Sequence, residues 1–189
     1  MNAKVDVNNI FIESSRLILR AYGEEDLNDF FEYASEKGVG EMAGWNHHKN
    51  IEETKSVLKM FLNERKTLAI VYKENKKVIG SIGIEYIREE ILDEEYEKLL
   101  GREIGYVLAK KYWGQGIMTE ALNELIRYLF LNEKYDFLTL CHSKNNYRSQ
   151  RVAEKCKFTF IKEEKIKNSS GENEIMKVYL LENIDKNKF

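Results

Sequence analysis

At 189 residues the chain is long enough for one well-buried core and short for two, so a single domain over 1–189, with its core at about 14–183, is expected. Hydrophobic residues at 43% against 33% charged place it among folded chains, and 30 Lys plus Arg against 32 Asp plus Glu leave a net charge of -2, too weak a field to recruit nucleic acid or an anionic membrane. With two cysteines outside any CxxC pair, no basic-then-apolar leader and no apolar run near the ~18 residues of a membrane span, the sequence predicts a cytoplasmic protein without a disulfide framework.

Arg16-Leu17-Ile18-Leu19-Arg20 alternates about an apolar centre as a short strand does, and the acidic run Gly23-Glu24-Glu25-Asp26 suits a helix start. Leu27, Phe30, Phe31 and Ala34 follow at the i, i+3, i+4, i+7 spacing of one buried helical face that ends near Gly38. Val39 to Lys49 is irregular, and from about Ile51 a second amphipathic helix carries Val57, Leu58, Phe61 and Leu62 inward. Leu68 to Tyr72 and Val78 to Ile87 are β-rich runs on either side of the polar Lys73-Glu74-Asn75-Lys76-Lys77 turn, the spacing of an antiparallel hairpin. Arg88 to Leu100 is acidic and weakly periodic, a loop or a short surface helix. Glu103 to Leu108 is a strand, followed by a glycine-bearing link to Gly116 and a strong helix with Met118, Leu122, Leu125, Ile126 and Leu129 on one face. Phe137 to Cys141 is a buried-type strand and Asn146 to Lys155 a short helix. Phe158 to Lys165 and Glu174 to Leu181 pair across Asn168-Ser169-Ser170-Gly171, so the pattern is mixed α/β throughout.

The link Lys111-Tyr112-Trp113-Gly114-Gln115-Gly116-Ile117-Met118-Thr119-Glu120 joins a strand to a helix, where the first amides have no intrahelical partner and converge on an anion. Gly114 and Gly116 remove side chains that would block a diphosphate and permit the backbone angles of a tight cradle; a plain helix-capping turn is the competing reading. Thr119 stands where a Rossmann fingerprint needs its third glycine, and the Gly-Lys-Ser/Thr of a Walker loop is missing, so nicotinamide and ATP lose ground.

In this order and at these separations the residues resemble the GNAT family, the GCN5-related N-acetyltransferases, and within it the RimJ/RimL-type group that acetylates ribosomal-protein N-termini. Arg16 to Arg20 is similar to that group's opening strand and Glu103-Ile104-Gly105-Tyr106 to its central strand. Trp113-Gly114-Gln115-Gly116 with Thr119-Glu120-Ala121 is similar to its CoA loop, and Asn146-x-x-Ser149 with Val152-Ala153-Glu154-Lys155 to its last functional helix. The resemblance spans most of the chain and implies an α/β (α+β) acyl-CoA N-acyltransferase fold: a mixed, mostly antiparallel sheet of about six to seven strands, about four flanking helices and a splayed central strand pair. Two positions depart from the pattern. Lys111 replaces the usual Gln or Arg, which backbone donors tolerate, and Lys157 replaces a glycine, where a left-handed conformation would be strained.

The resemblance further implies acetyl-CoA as cosubstrate, no metal, and direct transfer to a primary amine, either a protein N-terminus or a small molecule. Tyr106, Val107 and Leu108 would line the pantetheine slot, and Lys111, Trp113, Gly114, Gln115, Gly116, Ile117, Met118 and Thr119 the phosphate cradle. Asn146 would hold the CoA arm or cap its helix. Glu103 at the strand mouth is the candidate base, directly or through water, against an ordinary strand-end carboxylate; Ser149 is a candidate proton donor to the leaving sulfur, against a helix cap. Cys141 is expected as a buried, inert thiol, His47 and His48 as solvated loop residues, and Trp45 as either acceptor-pocket wall or core aromatic. A binding module using acyl-CoA as a regulatory ligand is the alternative function, a nucleotide-binding regulator a third, and the last hairpin offers an edge for a homodimer.

Overall fold

The computed structural model describes residues 2–88, 91, 94–167 and 173–184. Twelve elements follow in chain order among the described residues: β1 (Phe11–Glu13), β2 (Leu17–Ala21), α1 (Leu27–Ala34), α2 (Ile51–Glu64), β3 (Thr67–Tyr72), β4 (Lys77–Glu85), β5 (Gly101–Leu108), α3 (Ile117–Leu131), β6 (Phe137–Ser143), α4 (Tyr147–Lys155), β7 (Thr159–Lys167) and β8 (Asn173–Glu182). The strands form one sheet in the order β1-β2-β3-β4-β5-β6-β8-β7, antiparallel at every contact except the parallel pair β5–β6. The expected seven strands are all present. The eighth, β1, has three residues of which Ile12 alone is buried, too short for a period-2 pattern to show.

Each face of the sheet carries its own core. Leu17, Leu19, Ile70, Ile82, Ile104 and Leu108 pack with α3, whose Ala121, Leu122, Leu125 and Leu129 are sealed from water. The other face packs on α1 and α2, with Phe30, Tyr33, Ala34 and Leu58 at its centre and Val57, Phe61 and Leu62 half-buried around them. On α1 Tyr33 is buried and Phe31 only half-buried, a difference from the expected face: the Tyr33 hydroxyl meets that of Tyr22 at 2.7 Å, so a polar tip is accommodated inside. The acidic stretch before β5 holds a short 3-10 turn at Glu94–Tyr96 and a buried Ile91. The Asn168-Ser169-Ser170-Gly171 turn lies outside the described residues.

Candidate active site

β5 builds the site by alternation. Ile104, Tyr106 and Leu108 turn toward α3 and α4, whereas Glu103, Gly105 and Val107 face the α1–α2 side. On one edge β5 stays paired with β4 from Glu103 to Leu108; on the other it meets β6 only at Gly101–Glu103 against Phe137–Thr139. β6 remains with β8 as far as Ser143, so the two parallel strands diverge, and a cavity of about 650 Å³ opens between them. A Cβ added at Gly105 would meet nothing within 4 Å, which leaves the α1–α2 side of the opening clear.

The glycine link forms one end of the cavity. Gly114 and Gly116 adopt φ of 75° and 73°, a region that costs other residues strain, and a Cβ on Gly114 would project into open space. Gly116 is the N-cap of α3, which leaves the first-turn amides of Ile117, Met118 and Thr119 to an outside acceptor. Glu120 fixes the link: it accepts hydrogen bonds from Ser14 Oγ (2.7 Å), Ser15 Oγ (2.9 Å), Arg16 N (2.9 Å) and Arg16 Nε (2.6 Å), while Arg16 Nη1 donates to Gln115 O at 3.1 Å. Burial alone would push the Glu120 carboxyl up, but these donors outweigh it and hold its pKa at about 2. Trp113 Nε1 donates to Leu108 O at 2.6 Å, and the Arg148 guanidinium lies 4.5 Å from the Trp113 ring, tying the link to β5 and to α4. Arg148, Arg151 and Lys155 give the α4 wall positive charge beside the glycines.

At the other end sits Glu103, 6% exposed. Its Oε1 accepts from Arg88 Nη2 at 2.9 Å, and its Oε2 faces the Cys141 thiol at 3.7 Å. Burial raises the Glu103 pKa, with Arg88 and Cys141 pulling the other way. Burial, with the Glu103 charge beside it, pushes the Cys141 thiol far up, so the sulfur stays a protonated donor, inert as a nucleophile. On the opposite face of β5 the Tyr106 hydroxyl lies 2.8 Å from Ser149 Oγ, and burial raises the phenol so that it keeps its proton.

Glu103, Tyr106, Val107, Leu108, Asn146 and Ser149 all line the cavity, as do Trp113, Gly114, Gly116, Ile117, Met118 and Thr119. Lys111 and Gln115 lie off that wall. The Lys111 ammonium sits 5.6 Å over the Tyr112 ring, and the Gln115 amide turns back to donate to Lys111 O at 2.7 Å, leaving both side chains outside. Asn146 is committed as a cap: Oδ1 accepts from Ser149 N at 3.1 Å, and Nδ2 donates to Met42 O at 3.1 Å, which draws the 3-10 turn Glu41–Ala43 over the opening. His142 also lines the cavity, 4% exposed, with Nδ1 2.8 Å from Ser143 O, burial lowering its pKa, and Nε2 without a partner among the described residues.

The two loop histidines differ from the expectation of solvated rings. His47 is half-buried and meets Glu41 at 2.6 Å, and His48 is buried between Phe30 and Trp45 with Nδ1 2.8 Å from Thr54 Oγ1. Trp45 lines the cavity and packs on the α1–α2 core. Among the described residues no cluster of three or more His, Cys, Asp or Glu could hold a metal ion, and no helix is long and apolar enough to cross a membrane.

Residues 16–159 match the family model described as an acetyltransferase (GNAT) domain. An uncharacterized N-acetyltransferase p20 from Bacillus licheniformis is 28% identical over 122 residues, 62% of this chain and 64% of that protein, so the match covers less than two thirds of the relative's length. Among solved structures, an acetyltransferase (GNAT family) from Bacillus anthracis superposes with a TM-score of 0.79 at 21% identity, covering 92% of this chain and 99% of that one. RimL, a ribosomal L7/L12 α-N-protein acetyltransferase in complex with coenzyme A, gives 0.72 at 19% identity over 92% and 98%. These likenesses, below 25% identity, concern the fold.

Proposed function

The chain belongs to the GNAT acetyltransferase family, and from that we propose that it is an acetyl-CoA-dependent N-acetyltransferase, a single domain that serves a primary amine by direct attack in a ternary complex. The acceptor is a protein N-terminal amine or a small-molecule amine. One observation carries the reading: where β5 leaves β6, a buried carboxylate on one face and a hydrogen-bonded hydroxyl pair on the other border the same cavity.

The residues present fit acetyl-CoA. Gly114 leaves open space where a side chain would stand, the first-turn amides of α3 offer donors to a diphosphate, and Arg148, Arg151 and Lys155 supply cations beside them. When bound, acetyl-CoA supplies an activated acyl group on sulfur. Glu103 takes the proton from the incoming ammonium, directly or through water, and its raised pKa brings it nearer the working pH of a base. β5 amides beyond Glu103, released from β6, can donate to an acyl oxygen as charge grows there. Tyr106 and Ser149 hold a proton on the α4 side, where a leaving thiolate would need one. The Glu41–Ala43 turn, fastened to Asn146, narrows the opening.

Release of CoA thiol from acetyl-CoA is the test, measured across a panel of peptide and small-molecule amines, with the acetylated product identified by mass. Turnover that vanishes in Glu103→Gln while CoA still binds supports the reading. Tight CoA binding without turnover on any amine would make the protein a binding module instead.

A further inference from the structure

Arg102 precedes Glu103 on β5 and so faces the opposite layer, away from the acceptor side. It forms part of the wall of a second cavity, of about 660 Å³, bounded by the N-terminal segment Asn2–Asp6, Lys66, Tyr86, Glu133 and Tyr135. This cavity shares no lining residue with the one between β5 and β6.

The guanidinium is held, and among the described residues no ion pair forms on it. Arg102 is 3% exposed; Nε donates to Ala3 O at 2.7 Å, and the guanidinium carbon lies 4.2 Å from the centroid of the Tyr86 ring, which fixes the plane. Its Nη1 is buried without a hydrogen-bond partner among the described residues. Of the described acids around the cavity, Asp6 faces Arg65 at 3.5 Å and Glu64 faces Lys66 at 3.1 Å, while Glu133 accepts from the neutral Tyr128 hydroxyl at 3.2 Å and keeps its charge. A guanidinium cannot shed its proton, so a buried one with an unpartnered donor is costly, and an acceptor placed beside it, an anion most of all, relieves that cost. Its remaining planar donors match a two-oxygen head.

We propose that this cavity is a second ligand site that takes a small molecule with an oxyanion head, a carboxylate or a phosphate, against Arg102. Lys4 at the rim adds a cation along the approach. The N-terminal segment is the cover: its Ala3 carbonyl rests on the guanidinium and its Lys4 carbonyl accepts from the Tyr135 hydroxyl at 2.8 Å, so binding shifts this strap. The site is independent of the acetyl-transfer reading.

The test is a titration of the full chain with sodium phosphate and, separately, sodium citrate, followed by NMR at the Arg102 Nε–Hε group and the Ala3 and Arg102 amides, with sodium chloride at matched ionic strength as control. Saturable shifts with either probe, absent with chloride, are expected, and the probe that binds tells phosphate from carboxylate. Arg102→Gln should weaken binding about tenfold or more, the size of a lost charge-assisted pair. Should that variant fail to fold, Lys4→Glu leaves the buried guanidinium untouched and still lowers affinity by opposing charge at the rim. The proposal falls if neither anion gives a saturable shift, if chloride reproduces it, or if a folded Arg102→Gln chain or Lys4→Glu binds as the wild type does.

Discussion

The two ends of the β5–β6 cavity are built on different rules. At the glycine end, Glu120 takes hydrogen bonds from three consecutive residues, Ser14 to Arg16, and Arg16 passes a further one to Gln115, so the cradle is fixed by groups no ligand needs to displace. At the other end, where we propose that the acceptor enters, Glu103 faces Arg88, whose side chain is 41% exposed, and a thiol at 3.7 Å. That end is held by contacts an incoming ammonium can replace. The contrast fits a protein that presents one invariant cosubstrate to an acceptor chosen by looser, exchangeable groups.

The largest expected effect comes from breaking the acceptor end at its carboxylate. Glu103→Gln keeps the shape but cannot take a proton, so kcat/KM should fall by about 10²–10⁴-fold, with CoA affinity unchanged because the glycine end is untouched. Steady-state kinetics with calorimetric CoA binding separates the two. A variant that lost both in parallel would mean that the ends are not independent.

Breaking the glycine end should cost stability and do so with a pH signature. The folded Glu120 carboxyl titrates at about 2 against an ordinary value of 4.5, so its contribution is complete above that ordinary value and is lost as pH falls from 4.5 through about 2. The partner Arg16 is 39% exposed and solvent screens the pair, so we expect a contribution of about 2 kcal/mol, below what the shift alone would give. Glu120→Ala should therefore be less stable by that amount at neutral pH and should lose the difference in acid. Urea unfolding at several pH values checks it; a constant gap between the two proteins would remove Glu120 from that role.

Arg88→Gln sharpens the comparison without dismantling either end. Arg88 lowers the pKa that burial raises at Glu103, so removing its charge should let the Glu103 pKa climb. As the proposed base, Glu103 works deprotonated, so the acidic limb of the kcat/KM profile should move to higher pH. An unmoved limb would show that a different group titrates there.

These two ends were also unequally legible in the amino-acid sequence. The glycine end is local: a strand, two glycines one residue apart and an amphipathic helix state their purpose within residues 103–129. The acceptor end is assembled from distance, since Arg88 follows β4 and Cys141 sits on β6, 15 and 38 positions from Glu103, with no period to join them. Arg16 and Glu120 illustrate the same limit at 104 positions; both were visible as charges, but only the sheet brings β2 against the start of α3. His48 misleads for a related reason. Its neighbours His47, Lys49 and Asn50 are polar, yet Phe30 of α1 and the Thr54 hydroxyl of α2, with Trp45 of its own loop, form the nest that buries it.

The smallest effect concerns Lys157, where the same backbone conformation appears with the opposite residue choice. Gly114 and Gly116 sit at φ 75° and 73° beside open cavity, so the missing side chains serve both conformation and access. Lys157, joining α4 to β7, adopts φ 67°, and its amide donates to Glu154 O at 3.1 Å while Phe158 N returns to Ala153 O at 3.0 Å, closing the helix as a left-handed cap does. The sequence departs from the family's glycine here, and the turn is kept at the expense of strain. Lys157→Gly should relieve it and raise stability by about 0.5–1 kcal/mol, the residual after glycine's greater freedom in the unfolded chain is counted. A rise in the urea midpoint at unchanged m is the expected reading, and Lys157→Ala, which keeps the Cβ, should not reproduce it. Because the turn lies behind α4, acetyl transfer should be unaffected by either change; a gain in stability for the alanine variant would place the strain in the lysine side chain instead of the backbone.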